Sequence, residues 1–528
     1  MKKNNIFKLM ASGALVLSMA SCDSYLDKLP DNRTDINTET KVQELLTSAY
    51  PHNDYLKIAE FMSDNVDNMG ENNPNTSRFL DQLYAWKDVT ESDNEDNESL
   101  WESSNKAIGT ANVVLQDIEN MGGATTTTLK NAKAEALLCR AYNYFILTNI
   151  FCMNYNSSTS SKDLGVPYVT EPSTTVGSDY DRGTVADDYE KMDKDIQEAL
   201  PLVGDSYYTV PKYHFNQRAA YAFACRFYLY YEKWDKAIEY ANKCLGTQAK
   251  TMLRDWSYMG SMTADEKAWS LHYIDASLSC NLLLMTGNSS MGLDFGAYYY
   301  ESKYSHNNYL AKNEDAMANN IWGNDSKFYY RMEVYQGTNL DKTLMIKLPY
   351  LFEETDAIAK TGLYHTVYPA FTADECLLNR AEAYIMMKQY DKACGDLNTW
   401  LHNFTASNFI ITPDNVNSFY KSVAYATGLN STIKKHLHPS FTIDAEGSVQ
   451  ESMLQLVLGI RRIETLHEGL RWFDVKRYGI NIVRRTMGAD GSPALVTDSL
   501  TTADQRRAVQ LPTKVIQAGM KANPRAKQ

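Results

Sequence analysis

The side chains of this 528-residue sequence best suited to chemistry are aromatic rings set among amides and carboxylates. Two stretches hold them. From Ser63 to Asn97 the chain is rich in Asn, Asp, Ser and Glu, interrupted by Phe79, Tyr84 and Trp86. From Gly287 to Asn339 it carries Tyr298, Tyr299, Tyr300, Tyr304, Tyr309, Trp322, Tyr329, Tyr330 and Tyr335 among Asn, Gly, Asp and Ser. A flat ring beside hydrogen-bonding groups is what a sugar needs, because each pyranose has an apolar face and a rim of hydroxyls. Tyrosine is the residue in excess, with 36 copies beside 8 Trp, although the same ring also fills helical cores.

Catalytic arrangements fail on specifics. His467-Glu468 lacks the second His of a helical zinc site, and Arg471 stands in its place. No phosphate-cradling Walker loop, nucleotide-binding Gly fingerprint or Gly-x-Ser-x-Gly elbow is present. Paired carboxylates such as Asp187 and Asp188 are expected in a chain with 65 acids, where they read as a solvated face. The sequence therefore predicts a binding protein with no catalytic residues, no metal and no cofactor.

Composition narrows the partners. The formal charge is −13; removing residues 1–21 takes away Lys2, Lys3 and Lys8 and no acid, leaving −16. Nucleic-acid binding is excluded, since it relies on clustered Lys and Arg. Cys139, Cys152, Cys225, Cys244, Cys280, Cys376 and Cys394 are an odd, scattered set inside apolar helical patterns, which suits small hydrophobes rather than a disulfide framework. No C-x-x-C pair supports a redox or zinc site.

The amino terminus carries an address. Lys2 and Lys3 precede an apolar run from Met10 to Ala20 that is too short to span a membrane and reads as a signal peptide over 1–21. It ends in Met19-Ala20-Ser21-Cys22, a bacterial lipobox, which predicts acylation of Cys22 and a lipidated segment over 22–40. No later run reaches 18 apolar residues, so lipid on Cys22 is the expected membrane anchor.

The elements that must position the aromatic stretches are helical. Hairpin patterns fall near 130–155, 214–246 and 372–402. In the second, a helix from Arg218 precedes Trp234-Asp235-Lys236-Ala237; in the third, a helix from Glu375 precedes Tyr390-Asp391-Lys392-Ala393. The two superpose at an offset of 156 residues, with small residues on one face as in tetratricopeptide repeats, where they let paired helices approach closely. The stretch from Ser431 to Gln450 reads as a further surface excursion.

Near 454–479 lies the most specific segment, Arg461-Arg462-Ile463-Glu464-Thr465-Leu466-His467-Glu468-Gly469-Leu470-Arg471-Trp472-Phe473-Asp474, finishing in Lys476-Arg477-Tyr478-Gly479. Leu466, Leu470 and Phe473 share a helical face, and Arg461 with Glu464, like Glu468 with Arg471, stands at three-residue spacing. The reading is a structural clamp whose charges satisfy one another. This segment resembles the SusD/RagB family, whose hallmark is a doubled Arg, a Glu, then Glu-Gly-x-Arg-Trp-Phe-Asp and a basic-aromatic-Gly finish. Tyr25-Leu26-Asp27 with Pro30, Leu511-Pro512 and Asn523-Pro524 extend the resemblance over nearly the whole mature chain. The departures are His467, where the family often has an aromatic or small residue, and Thr513 after Leu511-Pro512.

The resemblance implies a mostly α-helical fold: one domain over 41–528, a tetratricopeptide-like superhelix with long irregular ligand-binding loops. It implies an outer-membrane lipoprotein, palmitate-anchored and facing the cell exterior, that captures oligosaccharides and delivers them to a TonB-dependent, SusC-like barrel transporter. Expected stacking residues are Tyr84, Trp86, Tyr298, Tyr300 and Trp322, with Asn73 and Arg331 as polar partners. A peptide-capturing relative, or a tetratricopeptide scaffold binding only protein partners, are the alternatives. A panel of glycans and peptides separates them.

Overall fold

The computed structural model describes residues 36–172, 180–205, 208–296 and 301–525. Cys22 and the segment that would be cleaved lie outside these residues.

Helices dominate, and their starts are written locally. Helix α1 (Asn97–Asn120) is capped by the Asp96 carboxylate, which accepts from Ser99 N, and α2 (Thr127–Phe151) by Thr126. From Ala134 to Phe151 every residue of α2 is buried, so this helix is the axis around which others pack. Helix α3 (Val185–Ala199) begins with a capping box between Thr184 and Asp187. The acid beside it, Asp188, is buried against Thr148 Oγ1 and Val166 N, and burial raises its pKa to about 7; of the pair only Asp187 is solvated.

The repeat is exact in the backbone. Helices α4 (Gln217–Tyr230) and α5 (Trp234–Leu245) recur as α6 (Ala373–Met386) and α7 (Tyr390–Phe404), both starts displaced by 156 residues. The turn recurs too: Glu232 and Lys388 occupy equivalent positions with φ of +60° and +57°. Alanines 219, 220, 222 and 224 are buried, and α4 meets α6 through the fully buried Arg226, paired with Glu375 and lying 4.2 Å from the Phe371 ring centroid. The pattern near 130–155 is the single helix α2, hairpinned with α1 rather than within itself. The architecture is thus a tetratricopeptide-like helical stack.

Among the described residues three sheets accompany the helices, the smallest pairing Glu333–Gly337 with Leu340–Leu344. Strand Thr361–Thr372 lies between Asn281–Gly287 and Leu351–Asp356, all antiparallel, and runs directly into α6, with Thr372 as the cap. A second sheet, in the order Tyr304–Ser305, Asp67–Asn68, Ile482–Met487, Pro493–Leu500, ties together the early segment, the middle segment and the carboxy-terminal hairpin. The segment near 454–479 is two helices, α8 (Val449–Glu464) and α9 (Leu470–Arg477), broken where His467 and Gly469 adopt φ of +67° and +71°.

Candidate functional site

The two aromatic-polar stretches, some 200 residues apart in the chain, are zipped together. Met69 N donates to Lys303 O at 2.7 Å, Asn75 N to Glu301 O at 3.0 Å, and Lys303 N to Asn75 O at 3.0 Å. Asn73 Nδ2 donates to Asn339 O at 2.9 Å. Neither stretch is structureless: the first contains the helix Arg78–Tyr84, capped by Ser77, and the second the helix Asn308–Glu314, capped by Asn307.

Beside this junction opens a cleft of about 1510 Å³ bounded by early, middle and carboxy-terminal segments. Its wall is aromatic. Tyr84 stacks on Tyr304 with centroids 4.3 Å apart, and its hydroxyl donates to Arg485 O at 2.9 Å. Trp86, just past the helix end, sits at φ +51°, a conformation costing about 1–2 kcal/mol that its indole N–H to Met62 O bond of 2.9 Å helps to hold. The Arg484 guanidinium lies 4.2 Å from both the Tyr84 and Trp86 centroids. Its hydrogen bonds go to main-chain carbonyls, among them Ser63 O at 2.7 Å and Phe61 O at 2.8 Å; burial pulls its pKa down to about 10.

The rim is charged and wetter. Arg506 pairs with Asp498 at 2.6 Å and Asp504 at 2.8 Å, and Arg525 with Asp88 at 2.7 Å, while Lys87 is exposed. Arg506 lies 5.6 Å from the Trp86 ring. Carboxylates, guanidinia and an amine around an aromatic wall can hold hydroxyls by charge-assisted hydrogen bonds, and nothing in the arrangement resembles a nucleophile with its base.

Residues 24–229 match the family model SusD-like_3, described as "Starch-binding associating with outer membrane". Solved structures similar to this chain include a SusD superfamily protein from Bacteroides thetaiotaomicron (20% identity, TM-score 0.64, covering 92% of this chain and 100% of that one). A SusD-like carbohydrate binding protein from Bacteroides vulgatus (15%, 0.63, 92% and 97%) and a SusD superfamily protein from Bacteroides fragilis (16%, 0.63, 92% and 99%) share the fold. No curated protein matches. The chain thus has the fold of the SusD superfamily structures, and residues 24–229 match the SusD-like family model.

The carboxy-terminal signature is buried from end to end, with Trp472 at 0% exposure. Its charges are satisfied mostly between elements, with Arg477–Asp474 the pair inside one helix. Arg461 pairs with Asp474 at 2.9 Å, and Arg477 with Asp474 at 3.0 Å and with Glu382 of α6. Arg471 binds Asp64 at 2.7 Å, and Arg462 reaches Glu314 at 3.3 Å. Burial would raise the pKa of Asp64, but Arg462 and Arg471 outweigh it and hold the acid well below the usual carboxylate range. Glu464 accepts from Trp400 Nε1 at 2.8 Å, and Glu468 binds Tyr273 and stands 3.5 Å from Lys347. The expected pairs do not form: Arg461 turns to Asp474 and Glu464 to Trp400, while the break at Gly469 directs Glu468 and Arg471 toward different neighbours. Gly469 is required there: a Cβ would meet Leu56 O at 3.1 Å and Ala59 Cβ at 3.2 Å, at a positive φ.

The expected ligand residues scatter. Tyr84 and Trp86 line the cleft, yet only 4% and 2% of each is exposed, so they build the wall more than they offer a platform. Trp322 is a correction: it is 4% exposed and packs edge-on against Trp400 at 5.7 Å, in the hydrophobic core, so no ring face is left for a sugar. Asn73 is 5% exposed, with its amide spent on Asn339. Arg331 is exposed and donates to Ser326 O at 3.2 Å, away from the cleft lining. Tyr298 and Tyr300 lie outside the described residues. Sequence reasoning missed Tyr304, Arg484, Arg506 and Arg525; the doubled basic pairs at 484–485 and 506–507 were the available signal.

Proposed function

We propose that this SusD-like chain is a non-enzymatic, cell-surface lipoprotein that captures oligosaccharides in the cleft between Tyr84, Trp86, Tyr304 and the Arg506–Arg525 rim, and passes them to a TonB-dependent outer-membrane barrel. The observation that carries the reading is the junction itself, an aromatic wall under a rim of ion-paired carboxylates and guanidinia in a cleft large enough for several sugar rings. The carbohydrate-binding description printed for a relative of the same fold, and the family description as starch-binding and outer-membrane associating, support the ligand class and the location. Attachment rests on Cys22, since no described helix is long and apolar enough to cross a membrane.

Calorimetry of the form beginning after Cys22, against neutral oligosaccharides, acidic oligosaccharides and peptides, tests the ligand class. Binding of oligosaccharides without release of shorter products supports the reading. Binding of peptides alone contradicts it, and product formation contradicts the non-enzymatic part.

A further inference from the structure

The cleft carries a charge bias opposite to that of the chain. Its lining holds four cations, Lys87, Arg484, Arg506 and Arg525, against three acids, Asp88, Asp498 and Asp504, whereas the chain after residue 21 has a formal charge of −16. All three acids are taken, Asp498 and Asp504 by Arg506 and Asp88 by Arg525. Two cations are left over. Arg484 is 1% exposed and spends its guanidinium on the main-chain carbonyls of Tyr84, Ser63, Phe61 and Met62, and it forms no ion pair among the described residues. Carbonyl oxygens satisfy its donors without cancelling its charge, so an uncompensated positive charge is buried 4.2 Å from the centroids of both wall rings, Tyr84 and Trp86.

Lys87 is the other. The helix Arg78–Tyr84 closes in a Schellman turn, in which Trp86 N donates to Leu83 O at 3.1 Å and Lys87 N to Gln82 O at 2.9 Å across the left-handed Trp86. That turn fixes the backbone of Lys87 next to the aromatic wall. Its side chain lines the cleft and is exposed, and its ammonium forms neither an ion pair nor a hydrogen bond among the described residues.

At ~0.1 M salt a charge more than about 10 Å away is largely screened, so the lining of the cleft, and not the overall negative charge, sets the potential that a ligand meets there. Walls of low dielectric focus that potential. A free ammonium in the same cleft as an uncancelled guanidinium calls for a negative charge, which a neutral sugar lacks. We propose, on the reading of the cleft as an oligosaccharide site, that it selects oligosaccharides bearing anionic substituents, carboxylate or sulfate, and that Lys87 decides the selection.

The experiment is calorimetry of the form beginning after Cys22 with hexasaccharides of three kinds, a neutral glucan, a polyuronate and a sulfated galactan, at low and at physiological salt. An acidic hexasaccharide should bind at least about tenfold more tightly than the neutral one at low salt, and the margin should shrink as salt rises. The polyuronate and sulfated arms identify which anion is preferred, and preference for either supports the proposal. Lys87→Gln should lower the acidic-over-neutral affinity ratio by about fivefold with the melting temperature unchanged, and Lys87→Arg should keep the ratio. Neutral binding as tight as acidic, a ratio independent of salt, or a ratio unmoved in Lys87→Gln overturns the proposal while leaving oligosaccharide capture standing. Failure of every hexasaccharide to bind overturns the capture reading itself, and the proposal with it.

Discussion

Two arginine-rich regions of this molecule use the same side chains to opposite ends. In the signature, Arg461, Arg462, Arg471 and Arg477 are at most 4% exposed, and each meets a carboxylate brought from another element. At the cleft, Arg506 and Arg525 keep 29% and 23% of their side chains in water and pair with acids that are themselves partly solvated. A buried pair that loses one partner leaves an uncompensated charge and costs about 3–5 kcal/mol, whereas an exposed pair is worth about 0–1 kcal/mol. Burial, more than residue type, separates the first set as scaffold from the second, whose solvated pairs would exchange partners for a ligand at little cost under the proposed reading.

The largest effects should come from the scaffold. Trp472→Ala and Trp322→Ala should each destabilise the fold by about 3–5 kcal/mol in urea titrations, since both rings are enclosed. A Trp322→Ala variant of normal stability that has lost oligosaccharide binding would return that ring to the ligand site. Asp64→Ala should cost about 3–5 kcal/mol by stranding Arg471, whereas Arg462 keeps Glu314.

Acid–base behaviour sharpens the contrast. Asp64 and Asp474 have folded pKa values lowered by arginine neighbours, and Glu314 by Lys435 and then Arg485, each outweighing burial, so their contribution is present above the ordinary carboxylate range and lost as pH falls through the folded values. Asp54 goes the other way: burial, aided by Glu95, raises it to about 8. Between the unfolded value and about 8 the native state holds the extra proton, so stability falls as pH rises, by up to about 1.4 kcal/mol per unit. Asp54→Asn should flatten the decline between pH 5 and 8; an unchanged slope would show that Asp54 is ionised in the fold.

Much of the scaffold was legible in the sequence and less of the cleft. The 156-residue offset could be read because the same small and aromatic residues recur at helical spacing, and it holds down to the left-handed Glu232 and Lys388. The signature's burial could be read from its residue types, but its pairings could not, because two positive-φ residues break the helix and Asp64, Glu382 and Glu314 come from far along the chain. Trp322 looked like a loop platform because its neighbours are polar; Trp400, which covers it, is 78 residues away. The rim residue Asp498 carries no local signal, since the strand register that sets it opposite Arg484 is decided by long-range pairing.

Smaller effects belong to the surface. If acyl chains on Cys22 are the anchor, as proposed, Cys22→Ala should move the protein from the membrane fraction to the soluble one; a variant that still resists salt washing would contradict lipid attachment.

The most direct test of capture in the cleft is calorimetry of oligosaccharide binding to Arg506→Ala beside the wild type, each with its melting temperature. Affinity should fall by about 1–3 kcal/mol while stability changes by no more than about 1 kcal/mol, as for a solvated pair that also contacts ligand. Unchanged affinity in a folded Arg506→Ala protein that binds oligosaccharide as well as the wild type would place the ligand elsewhere and contradict the account.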